Sequence, residues 1–198
     1  MQDFFLTFGV ERTFGIDDAA LERRFHFLQR QSHPDRFTGR TAEVAENALT
    51  QSSNINEAYR TLRDPHRRSK YLLALYGFSV EKSKSVPMDL FELVMNVQEK
   101  ISEYEFASSE QRFELSRSVK PIIEDAERRK TVLENESEHL RFDWDSIPTH
   151  AGEAVNLSEN EKRILQTLAS KTAAQTYIST LLNTMHAAMN GESLVLKH

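Results

Sequence analysis

His33, Pro34 and Asp35 stand consecutively in a 198-residue chain that contains no cysteine. Three readings fit that tripeptide. An imidazole and a carboxylate flanking a proline can serve as an acid–base pair, which makes a hydrolase using His33 and Asp35 one option. No pocket, orienting group or oxyanion donor accompanies them in the sequence, so that option has the least support. The second reading is recognition. Proline fixes its own φ at about −65° and restricts the residue before it, so His33 and Asp35 are held in a defined presentation. An exposed carboxylate on such a loop can accept a charge-assisted bond from an arginine of a partner. The third reading is a plain turn.

Basic residues surround the tripeptide: Arg23, Arg24, His26 and Arg30 before it, Arg36 and Arg40 after it. Arg23, His26 and Arg30 are spaced three and four apart, so a helix puts them on one face. They make a patch suited to an acidic partner surface, or simply a solvated face. A second cluster is acidic and apolar. Residues 88–111 hold six acidic residues and one basic one, Lys100. Within them Leu90, Val94, Val97, Ile101 and Tyr104 recur at helical spacing and make one stripe for a core. Phe91 and Met95 fall about 80–100° away from it, with Asn96, Glu99 and Glu103 further round the same side. A small bundle needs one core stripe per helix, so this second apolar pair predicts either an interaction patch for a basic partner or a packing contact within the protein.

The elements that must position these residues are helical. Between Ala42 and Tyr76 there is no Gly and one Pro, and between Met88 and Ser146 no Gly and one Pro. Strand-like alternation is absent, and apolar spacings of three and four recur. Asp3 to Phe8 reads as a short segment ending at Gly9. Asp17 and Asp18 cap a helix starting near Ala19, which must stop before Pro34. A long helix begins at about Thr41. Asp64-Pro65 ends it and starts the next, which stops at Gly77. Residues 78–87 read as a linker. Helices follow from Met88 to Ala107, Glu110 to Asn135 and Ser158 to Met189, the last opened by the capping box Ser158-x-x-Glu161. The stretch from Trp144 to Asn156 reads as a loop with Trp144 at its edge.

Residues 1–76 carry 11 basic and 10 acidic side chains, the rest 14 and 20, and seven of the 12 Phe lie in the first 37 residues. Two domains of different character account for this: 1–77, then the linker, then 88–198. A net charge of −5 argues against non-specific nucleic-acid binding. No apolar run reaches the ~20 residues of a membrane span, and the N-terminus does not read as a secretory signal, so a cytoplasmic protein is expected. A matrix protein stripped of its presequence would look the same. Without cysteine there is no disulfide, thiolate metal site or cysteine nucleophile, and the seven His lack metal-ligand spacing, so neither metal nor cofactor is expected.

The order helix, His33-Pro34-Asp35, helix resembles a J domain, the module that stimulates the ATPase of DnaK-type chaperones. The pattern Asn56-x-Ala58-Tyr59-x-x-Leu62-x-x-Pro65-x-x-Arg68 carries the resemblance further. Ser32 replaces a common Tyr, and Arg36 a common Lys. The resemblance implies a chaperone-binding surface of His33, Pro34, Asp35, Arg23, Arg24, His26, Arg30 and Arg36. A J domain joined directly to a three-helix bundle in about 200 residues resembles the HscB family, co-chaperones of iron–sulfur cluster assembly. Asp3-Phe4-Phe5-x-x-Phe8-Gly9, Phe25-x-x-Leu28-Gln29-Arg30-Gln31 and Arg68-Ser69-Lys70-Tyr71-Leu72-Leu73 agree with it. That resemblance implies an all-α, non-enzymatic protein whose partners are a DnaK-type chaperone and the cluster scaffold. Phe91, Met95, Asn96, Glu99, Glu103 and, on the last helix, Tyr177 match the family's scaffold-binding face. Asn96 stands where an acidic residue is common. ATP and the cluster then belong to the partners, since this chain has no thiolate to ligate a cluster. A J-domain adaptor for another client stays open.

Overall fold

Asp3 starts the first helix by accepting hydrogen bonds from the backbone of Phe5 and Leu6, and Gly9, at φ 63°, closes it. Such carboxylate caps and left-handed glycines satisfy the backbone groups that a helix leaves without partners at its ends. In the computed structural model, which describes residues 2–32, 41–78, 80, 88–147 and 157–190, every regular element is a helix. The order is α1 (Phe4–Phe8), α2 (Asp18–Ser32), α3 (Ala42–Arg63), α4 (Pro65–Leu75), a 3₁₀ turn (Met88–Leu90), α5 (Phe91–Phe106), α6 (Ser109–Asp145) and α7 (Glu159–Met189). Asp17 accepts from Ala19 and Ala20 at the start of α2. Asp64 accepts from Arg67 with Pro65 in the first turn of α4. Ser158 and Glu161 bond reciprocally at the start of α7, the capping box expected there.

The chain forms two units. The first comprises residues 1–79 together with 140–166, the second 80–139 together with 167–198. The stretch 140–166, which sequence grouping assigns to the C-terminal part, thus clusters with the N-terminal one.

In the first unit α2, α1 and α4 pack against α3. Leu21, Ala58, Leu62, Leu72 and Leu73 are fully buried. Tyr59 stacks face to face on Phe25, with ring centroids 3.9 Å apart. Tyr71 stacks on Phe4 at 4.5 Å, accepts from its backbone N–H and donates to the carbonyl of Gln2. Burial pushes the Tyr71 phenol above its ordinary pKa. Arg68 is buried, and its guanidinium donates to the carbonyls of Phe14 and Leu62. Those bonds meet the need of a buried charge for polar partners, while desolvation lowers its pKa.

Trp144 and Asp145, read from the sequence as the start of a loop, are helical, and residues 148–156 of that stretch lie outside the described residues. α6 runs through Asp145, and Trp144 lies in its last turn with no exposed surface. The indole sits edge-on to Phe14 at 6.3 Å and to Tyr76 at 5.0 Å. The Asp145 carboxylate accepts from the backbone N–H of Phe14 at 2.7 Å and of Gly15 at 2.6 Å. A Cβ at position 15 would lie 3.2 Å from that carboxylate, so glycine lets the two approach. The packing of Trp144 on Phe14 and Tyr76 is stronger than the helix-terminating signals of the acidic stretch around it.

The second unit is a bundle of α5, most of α6 and most of α7. The predicted stripe faces its core: Leu90, Val94, Val97 and Tyr104 are buried and Ile101 packs against them, joined by Leu93. Val119 and Ala126 meet them from α6, and Ala174, Ile178, Leu181 and Met185 from α7. Gln175 donates to Ser137 at 3.2 Å inside this bundle.

Candidate functional site

Because Leu90, Leu93, Val94, Val97 and Tyr104 commit one side of α5 to the core, the opposite side is left to solvent. Phe91 and Met95 are 58% and 51% exposed. Asn96 and Glu99 are exposed beside them. Glu103 is half-buried, and both of its oxygens accept from Lys100, at 2.7 and 2.9 Å. The one basic residue of the segment is therefore spent on one of its carboxylates. Tyr177 is half-buried and packs against the bundle core from α7. Phe106, almost wholly exposed, was not singled out in the sequence. Its signal was available: it lies fifteen residues, about four turns, after Phe91 and so on the same side of the helix.

On α2 the residues Arg23, Arg24, His26 and Arg30 are all exposed, while Leu21 is buried and Phe25 stacks on Tyr59. His26 lies 3.9 Å from Glu22. The Arg24 guanidinium covers the ring of Phe27 at 5.2 Å. Phe27 itself is partly exposed on the same face as Arg23 and Arg30, a second aromatic the sequence reading passed over. A cation over an aromatic face is attracted by the ring's quadrupole. His33, Pro34, Asp35 and Arg36 lie outside the described residues, as does Arg40. What is described is their frame: α2 ends at Ser32 and α3 begins at Ala42.

The pattern from Asn56 to Arg68 has a structural meaning at each position. Asn56 accepts from Gln29 of α2. Ala58 and Leu62 are fully buried against neighbouring helices. Tyr59 fills the space between Phe25 and Phe8. Pro65 opens α4, and Arg68 ties α4 to the end of α3 and to the turn after α1. These residues build the scaffold that sets α2 beside α3. Among the described residues no three His, Asp or Glu side chains converge as metal ligands, and no helix is long and apolar enough to cross a membrane.

No protein-family model matches the chain. Two solved structures share its architecture. The chaperone HscB from Vibrio cholerae is 22% identical, with a TM-score of 0.61, covering 96% of this chain and 99% of that one. The human co-chaperone HscB is 22% identical, with a TM-score of 0.56, covering 94% of this chain and 81% of that one. Over nearly its whole length, the chain has the fold of the HscB chaperones.

Proposed function

We propose that this chain is a co-chaperone of iron–sulfur cluster assembly, which stimulates the ATPase of a DnaK-type chaperone and brings the cluster scaffold protein to it. The observation that carries the reading is the pair Phe91 and Met95, kept out of the core on α5 in a chain with the HscB fold. Apolar side chains held in water on one helix face favour a partner that covers them. The chaperone's site is the exposed α2 face of Arg23, Arg24, His26 and Arg30 with His33, Pro34, Asp35 and Arg36 following it. Arg23, His26 and Arg30 attract an acidic surface, and Asp35 offers a carboxylate to an arginine. The scaffold's site is Phe91, Met95, Asn96, Glu99 and Glu103 with Tyr177. Holding both partners on one molecule raises the concentration of each near the other. The chain itself performs no chemistry; ATP hydrolysis and cluster chemistry belong to its partners.

The test is the steady-state ATPase of a cluster-assembly DnaK-type chaperone with this chain added, with and without scaffold. Stimulation that rises synergistically with scaffold is the expected result. No stimulation overturns the reading. Stimulation indifferent to scaffold keeps the J domain and points to another client. That second reading draws on one feature: Asn96 is neutral and Glu103 is held by Lys100, which leaves Glu99 as the only uncompensated carboxylate of the proposed set. Phe91→Ala with Met95→Ala is expected to weaken scaffold binding by about 2 kcal/mol, roughly thirtyfold, measured by calorimetry. Unchanged affinity places the scaffold elsewhere.

A further inference from the structure

The exposed apolar side of α5 continues past Met95 to Phe106, which is 89% exposed. Fifteen residues of helix separate Phe91 from Phe106, about 22 Å. Phe106 opens onto a groove of roughly 740 Å³ where α5 gives way to α6. Phe106, Ala107 and Leu115 supply its apolar surface, and Glu103, Glu110 and Glu114 its rim, with no Lys, Arg or His among the lining residues. Glu103 is already bonded to Lys100. Glu110 and Glu114 take part in no ion pair among the described residues. They stand one turn apart on α6, where like charges repel and weaken the helix by itself. The negative charge that the α5 face lacks at Asn96 and Glu103 is thus present, uncompensated, at the corner beside Phe106.

Resting on the co-chaperone reading above, we propose that this corner groove is a second contact for the same scaffold protein. It takes a bulky aliphatic side chain flanked by lysine or arginine, while Phe91 and Met95 hold the rest of the surface. The charge is the reason for that choice of occupant: an apolar floor with two uncompensated carboxylates on its rim rejects a neutral or acidic segment and selects a basic one.

Calorimetric titration with purified scaffold protein, at low and high salt, tests this with four full-length chains: the wild type, Phe106→Ser, Glu110→Gln with Glu114→Gln, and Phe91→Ala with Met95→Ala. The altered side chains are all exposed, and circular dichroism checks that helix content is unchanged. Phe106→Ser and the double Glu→Gln variant are each expected to weaken binding at least fivefold. The loss in the Glu→Gln variant shrinks at high salt, because salt screens exposed charges. Full affinity in both, with affinity lost in the Phe91/Met95 variant, overturns the groove and leaves the scaffold reading standing. No binding by the wild type overturns both. A chain lacking residues 191–198, which include Leu194-Val195-Leu196-Lys197, is the control for an internal occupant. If the truncation itself weakens scaffold binding and the Phe106→Ser and Glu→Gln changes then add no further loss, the groove holds the chain's own tail and the proposal is overturned. Concentration-dependent dimerisation abolished by Phe106→Ser assigns the groove to a second copy, with the same consequence.

Discussion

His33→Gln is expected to abolish stimulation of the chaperone ATPase while leaving the fold intact. Gln keeps a polar side chain of similar reach but loses the imidazole. Pro34 and Asp35 stay in place, so the backbone restriction that presents them is retained. The substitution falls after the last residue of α2 and well before the first of α3. The contacts that join those helices lie elsewhere, in the Gln29–Asn56 bond and the Phe25–Tyr59 stack. Helix content and thermal midpoint should therefore match the wild type while turnover of the chaperone falls to its unstimulated rate. Retained stimulation would remove the J-domain assignment, which is built on the His33-Pro34-Asp35 tripeptide. Charge removal on α2, by contrast, should lower the apparent affinity in a salt-dependent way, because Arg23, His26 and Arg30 are exposed.

The second large effect is on stability. Trp144→Ala is expected to destabilise the first unit by about 3–5 kcal/mol, the range for emptying a buried aromatic site. The indole is fully buried, with Phe14 on one side and Tyr76 on another, beside the Asp145 bonds to Phe14 and Gly15. Phe142, two residues earlier, is 71% exposed. Phe142→Ala should change stability by no more than about 0.5 kcal/mol. Urea unfolding of the two variants separates the cases: equal midpoints would mean that Trp144 contributes no more than a surface ring.

Much of this arrangement can be read from local chemistry. The carboxylates of Asp3, Asp17 and Asp64, the proline at position 65 and the glycines at 9 and 77 mark helix ends, and each does so through backbone groups within a few residues of itself. The α5 stripe is legible because core spacing on a single helix needs no knowledge of its neighbours. The end of α6 was not legible in the same way. Asp143, Asp145 and Pro148 favour a break, yet the helix continues because Trp144 packs against Phe14 and Tyr76, about 130 and 70 residues distant in sequence. A periodic hint existed: Val119, Ala126, Leu133 and Leu140 recur every seven residues and lead to Trp144. Phe27 and Phe106 are a different case: spacing puts each on the same side of its helix as the other site residues, but exposure depends on which helices cover that side, and spacing alone does not say that.

The first unit is assembled from two separated stretches, and this matters while the chain is being made. Residues 1–79 are made before Leu140 exists, and the whole of 80–139 is synthesised in between. At ~5–20 residues per second, that interval lasts about 3–12 s. Throughout it the rings of Phe14 and Tyr76 lack their indole cover, and the amides of Phe14 and Gly15 lack the carboxylate that later receives them. The N-terminal part thus emerges first and is completed late. A product cut short before residue 140 carries an aromatic surface that the finished protein hides.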